Sequence, residues 1–284
     1  MTWQSMCGDK LVSPDRALEI IRPSDQVFTA GLTGTPFTLC QALVEKKEEL
    51  RGLRLNTLIS LFDWNVPGLG EYFHFESWYL SRRERPMLHQ GRLDYVPVSY
   101  FRADALPYGI DELDVYIVAV SPPDQHGYCS FGTSVGMSPL MSKQAKRIIA
   151  EIDSSFIRTG GTNYINISEI DRCVERQSQL ATLVTPETFS QEKQDAVDTI
   201  CMQIANDLVE DGDTIQIGAG DMTSPLLGYL YGRRDLGMQT EIIPPGVVAL
   251  VQAGIMTGKN KTIHPGKVVG TAFHPQLSPE ELDF

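Results

Sequence analysis

Twice in this chain an apolar run ends in a glycine loop and resumes as a proline-led helix. The two segments are VFTAGLTGTPFTLCQAL (27–43) and IQIGAGDMTSPLLGYL (215–230). Glycine lets the backbone turn sharply and come close to a neighbour. Proline at the first helical position gives up only an N–H that would have no partner there. Each segment is followed by a further apolar run, so each reads as strand, loop, helix, strand. That is the crossover unit of a parallel sheet, and it commits the chain to the α/β class. The two segments look like a weak internal duplication. Because βα loops share this chemistry, the likeness speaks for fold before function.

The remaining pattern fills in around these segments. Ser13-Pro14-Asp15 opens a helix through Ala17, Leu18, Ile20 and Ile21. Strands are expected at 25–30, 54–61, 115–120, 147–152 and 164–167, with a helix over 138–146. Lys143, Lys146 and Arg147 then form that helix's polar end. Residues 64–110, rich in aromatics, arginine and proline, predict irregular loops with one short strand at 93–98, and 127–136 reads as a hairpin or loop. A polar stretch near 176–192 marks a boundary, dividing the chain into 1–187 and 188–284. The clearest helix spans 191–210, where Val197, Ile200, Ile204 and Leu208 recur at steps of three or four and predict one apolar stripe. A strand at 238–243 carries one carboxylate, Glu241, and is stopped by Pro244-Pro245-Gly246. A helix at 247–253 and a strand at 267–273 follow.

Composition narrows the function. A net charge of −12 opposes nucleic-acid binding, which needs a basic face to neutralise phosphates. Five scattered cysteines without a C-x-x-C pair read as reduced thiols, not as a disulfide framework or a zinc site, so no metal is expected. The first residues lack a signal pattern, and the apolar stretch near 246–256 is too short and glycine-rich to span a bilayer. The expectation is a cytoplasmic protein with no membrane or nucleic-acid partner.

Taken alone, Gly218 and Gly220 are ordinary turn punctuation, and Glu241 is a solvated strand-end carboxylate. His126 and Cys129 lack the spacing of a thiol nucleophile with its base. His264 reads as a turn former. Lys259, Lys261 and Lys267 form the basic cluster nearest the glutamate, either facing an anionic ligand or forming a solvated loop.

Three longer stretches shift that balance. SPPDQHGYCSFGTSVG (121–136) with AKRIIAEID (145–153), GAGDMTSPLLGYL (218–230) and DLGMQTEIIPPGVVALVQAGIMTGKNKTIHPGKVV (235–269) resemble, in order, the signature segments of the acetyl-CoA hydrolase/transferase family. The resemblance implies two tandem open α/β/α domains of the CoA-transferase type, the second incomplete here. It implies that Glu241 is the nucleophile, attacking an acyl-CoA thioester to form a mixed anhydride and then a glutamyl-CoA thioester that an acceptor carboxylate opens. It implies that Gly218, Ala219, Gly220, Asp221 and Met222 contact coenzyme A, which is a substrate here. Asp221-Met222-Thr223 stands where the family often has Ala-Ile-Pro, and Ile242-Ile243-Pro244-Pro245 where a Ser-Asp pair is common. The implied partners are an acyl-CoA and an acetate-type carboxylate. A homo- or hetero-oligomer is expected, and either a partner chain supplies the remaining half-domain, or the chain is a fragment, or activity has been lost. Hydrolysis by water and a non-catalytic half-enzyme subunit are the alternative readings.

Overall fold

The computed structural model of the chain describes residues 2–100, 112–177, 189–218 and 223–284. These fall into two compact units, Met1–Ala181 and Thr182–Phe284. The expected boundary between 187 and 188 touches residues outside the described set.

The first unit opens with α1 (Trp3–Cys7) and α2 (Pro14–Leu18). Ser13 caps α2 by accepting from Arg16 N, with proline at the first position, as its sequence demands. Then come β1 (Gln26–Thr29), α3 (Phe37–Glu45), β2 (Arg54–Thr57), β3 (His74–Ser77), α4 (Arg85–His89) and β4 (Asp94–Tyr95). The second half holds β5 (Leu113–Val120), β6 (Tyr128–Ser130), α5 (Ser138–Gln144), β7 (Ala145–Ile152), β8 (Tyr164–Asn166) and β9 (Arg172–Glu175). Seven strands pair in parallel in the order β4-β3-β2-β1-β5-β7-β9. This is an open α/β sheet, and its strand order reverses direction at β1 and β5.

Both faces of that sheet are covered. Val115 and Ile117 of β5 point into one apolar cluster with Leu39 and Leu43 of α3. Tyr116, Val118 and Val120 point into a second with Met141 of α5 and Cys7 of α1. Burying each such aliphatic side chain contributes about 1.5–3 kcal/mol, which explains the apolar run of β5 after Asp114.

Several expectations are corrected. The 64–110 region contributes the sheet strand β3, which its sequence hides because Glu76 and Ser77 are buried polar residues. Arg54 pairs with Glu76 at 2.7 Å, so the strand's charge is met internally. Segment 127–136 is no local hairpin: β6 pairs antiparallel with β8, far along the chain. Lys146 and Arg147 lie on β7, not on a helix end, and pair with Glu112 and Asp114 and with Asp25 respectively. Gly31 follows β1, and a Cβ there would meet the Leu58 carbonyl oxygen at 1.6 Å, so only glycine fits between the two loops.

The second unit contains α6 (Gln191–Gln203), β10 (Thr214–Ile215), α7 (Thr223–Gly228), β11 (Gly237–Ile243), α8 (Val247–Gln252), β12 (Val268–Phe273) and α9 (Pro279–Asp283). Its strands pair in parallel in the order β10-β11-β12. Ala205, Ile217, Leu227, Met238, Val247 and Leu250 form its core. The expected stripe of α6 is buried only in part, at Val197 and, packed against the core, Ile204. Val197, Cys201 and Ala205 are buried, whereas Ile200 is 39% and Leu208 72% exposed. A π-helical turn, Ile204–Leu208, ends the helix, and Ala205 within it and Val209 after it stay in the core.

Candidate active site

β11 forms because Met238, Thr240 and Ile242 alternate with Gln239 and Glu241, placing the first three inward and the other two on the exposed face. The strand is flanked on both sides, with Met238 beside Ile215 of β10 and Val268 of β12. Pro244 and Pro245 end it, and Gly246, at φ 94°, turns the chain into α8. The Gly246 amide donates to Glu281 Oε1 at 2.8 Å, tying that turn to α9.

Thr240 holds the segment that follows β10. Its hydroxyl accepts from the Ile217 amide at 3.0 Å and donates to the Ile217 carbonyl oxygen. The chain leaving β10 is thereby held to β11, and Gly218 comes to rest beside Glu241. An ideal Cβ on Gly218 would lie 3.5 Å from Glu241 Oε2 and 3.7 Å from Gln216 Nε2. The absent side chain is what keeps the carboxylate approachable from that side. Thr271 Oγ1 donates to the Glu241 carbonyl oxygen at 2.8 Å and fixes the backbone from the β12 side. Among the described residues no hydrogen bond or ion pair reaches the Glu241 carboxylate. An exposed, unpaired carboxylate on a rigid strand, beside a glycine, can attack an electrophilic carbonyl.

Of the residues expected here, Glu241 and Gly218 are brought together. Ala219, Gly220, Asp221 and Met222 lie outside the described residues. Gln216 was not expected in the site. The signal for it was an exposed polar residue between Ile215 and Ile217, just past β10.

The basic cluster is divided. Lys261 is only 7% exposed and donates to the carbonyl oxygens of Met238 and Lys267, each at 2.7 Å. It braces the entries to β11 and β12, and burial lowers its pKa. Lys259 pairs with Asp235 at 2.5 Å, and Lys267 is exposed. His264 sits at φ 51°, in the turn the sequence suggested. Cys129 is fully buried, and burial pushes its thiol up to about 12, which removes it as a nucleophile at neutral pH. Among the described residues no cluster of His, Cys, Asp or Glu could hold a metal ion, and no helix is long and apolar enough to cross a membrane.

The model of the acetyl-CoA hydrolase/transferase N-terminal domain matches residues 2–185. The chain belongs to the acetyl-CoA hydrolase/transferase family. Curated relatives include the 4-hydroxybutyrate coenzyme A transferase of Clostridium kluyveri, 33% identical over 95% of this chain and 62% of its own length. Another is the succinyl-CoA:cyclohexane-1-carboxylate CoA transferase of Geobacter metallireducens, 28% identical over 92% of this chain and 59% of its own. The chain thus spans about three-fifths of the length of these relatives. Among solved structures, RipA from Yersinia pestis superposes with a TM-score of 0.84 at 26% identity, covering 96% of this chain and 65% of its own. The 4-hydroxybutyrate CoA-transferase of Porphyromonas gingivalis gives 0.76 at 27% identity, covering 99% and 66%. Within the acetyl-CoA hydrolase/transferase family, the relatives named here as enzymes are transferases.

Proposed function

We propose that this chain carries the nucleophile of a CoA-transferase that moves CoA between a short acyl-CoA and an acetate-type carboxylate. The observation that supports this best is the exposed Glu241 carboxylate held beside Gly218 on β11. A Glu241 oxygen attacks the thioester carbonyl, the C–S bond breaks, and CoA leaves as thiolate. The thiolate then attacks the glutamyl carbonyl of the acyl-glutamyl anhydride, releasing the first carboxylate and leaving a glutamyl-CoA thioester. The acceptor carboxylate opens that thioester to a new anhydride, and the returning thiolate takes the acceptor's acyl group. Glu241 is regenerated with no net proton or electron transfer. Dividing the exchange into steps of similar reactivity is what a carboxylate nucleophile contributes.

The Gln216 amide, directed at the same point as the Glu241 carboxylate, is suited to donate to the oxygen that becomes negative in each tetrahedral intermediate. Gly218 lets the thioester approach, and the 219–222 loop is assigned to CoA. The transferase relatives favour an acid over water as acceptor. The test is to incubate the protein with acetyl-CoA and analyse its peptides by mass spectrometry. A CoA thioester on the Glu241 peptide, discharged by added acetate, is expected. No adduct, in the chain alone or with a candidate partner chain, overturns the reading.

A further inference from the structure

At the carboxyl end of the seven-stranded sheet two carboxylates share one guanidinium in a dry place. Glu151 of β7 is fully buried. Its Oε2 accepts from the Leu39 amide at the start of α3, at 3.1 Å. Its Oε1 lies 3.5 Å from Arg176 Nε and receives no hydrogen bond. Arg176, just past β9, makes its closer contact elsewhere, donating to Asp153 Oδ2 at 2.7 Å. Its guanidinium also stacks over the Phe37 ring at 5.2 Å, and the next residue's amide, Gln177 N, donates to Thr38 Oγ1 at 3.1 Å. The cluster therefore ties the first turn of α3 to the point where the chain leaves β9.

We infer that Glu151 is a proton-held latch: protonated, it keeps the start of α3 closed on the β9 exit, and ionised, it lets them part. Three formal charges meet here, two negative and one positive, and the better hydrogen-bonded carboxylate is Asp153, which also accepts from Ser155 N at 2.8 Å and Ser155 Oγ at 2.6 Å. The proton accordingly belongs on Glu151. A buried carboxylate with one oxygen unbonded is costly, and the arginine it shares lies closer to Asp153. The charged and titratable groups facing it are Arg176 just past β9, Asp153 just past β7 and Cys40 from α3, with the Thr38 and Leu39 amides as the remaining donors. Burial raises its pKa to about 7, against the opposing pull of Arg176 and the α3 amides, and Asp153 adds to the rise. The Cys40 thiol is itself pushed well up by burial and by Glu151, so it supplies no competing charge.

The sign follows from linkage. Once opened to water the carboxyl returns to an ordinary value of 4.5, below its closed value. The proton's stabilisation of the closed state is complete below the open value, falls as pH rises between the two, and is gone above about 7. Across that window the opening constant rises by roughly a hundredfold. What opens is the base of α3, which the loop after β1 feeds at the carboxyl end of the sheet, so the latch makes that loop's anchorage depend on pH.

Hydrogen exchange of the full chain, read on peptides covering 37–40 and 174–177 and corrected for the intrinsic rate, tests this. The corrected opening constant should rise by roughly a hundredfold from about pH 4.5 to about pH 7.5 in the wild type, and Glu151→Gln should abolish the rise. No rise in the wild type, or the same rise in the variant, overturns the latch. Should the variant not fold, infrared titration of the wild type decides. A protonated carboxyl stretch that persists to near-neutral pH is expected, and its loss by about pH 5 overturns the proposal.

Discussion

In the first unit β5 is buried along nearly its whole length between two apolar clusters, whereas in the second β11 alternates between buried Met238, Thr240 and Ile242 and exposed Gln239 and Glu241. Parallel strands usually have both faces covered and read as continuous apolar runs. β5 obeys that rule. β11 departs from it on one face, and that face carries the carboxylate to which chemistry is assigned. The same pairing geometry thus serves two ends. Symmetric burial makes a scaffold strand, and one-sided burial makes a strand that can present a reacting group without losing its register.

The largest expected effect tests the exposed side. Glu241→Gln should lower transfer by at least roughly a thousandfold, as loss of a nucleophile does, while leaving the thermal unfolding midpoint in place because the side chain is exposed. Residual transfer above one part in a hundred would show that β11's open face is not where the reaction runs. Next comes the scaffold. Gly31→Ala should destabilise the first unit by about 3 kcal/mol in denaturant unfolding, because its methyl would collide with the Leu58 carbonyl. A neutral result would mean that the close approach of those loops is not held as described. The smallest effect separates the two faces of α6. Val197→Ala should cost about 2 kcal/mol, and Leu208→Ala should stay within about 0.5 kcal/mol. Equal costs would restore the unbroken apolar stripe that spacing alone suggests.

Much of the fold was legible because its signals are local. Ser13-Pro14 announced α2, the β-branched run announced β5, and Pro244-Pro245 announced the end of β11. What escaped depended on distant partners. β3 hides its character because Glu76 is acceptable inside only once Arg54 of β2 is beside it. β9, Arg172–Glu175, is too short and too charged to announce itself. Of the α6 stripe, Val197 is buried and Ile204 packs on the core, but Cys201 and Ala205 take the buried places that apolarity alone would give to Ile200 and Leu208. At the site, the role proposed for Glu241 comes from the family resemblance, because a carboxylate on a proline-ended strand reads by itself as a solvated one. Gln216 became visible only when Thr240 was seen to hold the neighbouring backbone in place.

The position of β1 has a consequence for synthesis. Its partner β2 follows it closely along the chain, but its other edge is completed only by β5, whose first residue is Leu113. At ordinary elongation rates several seconds separate the synthesis of β2 from that of β5. For that interval Val27 and Phe28 lie in a strand with one unsatisfied edge, open to pairing with any extended chain nearby. A nascent chain of this kind is a natural client for a ribosome-associated holdase, and slowing translation between β4 and β5 should raise its aggregated fraction.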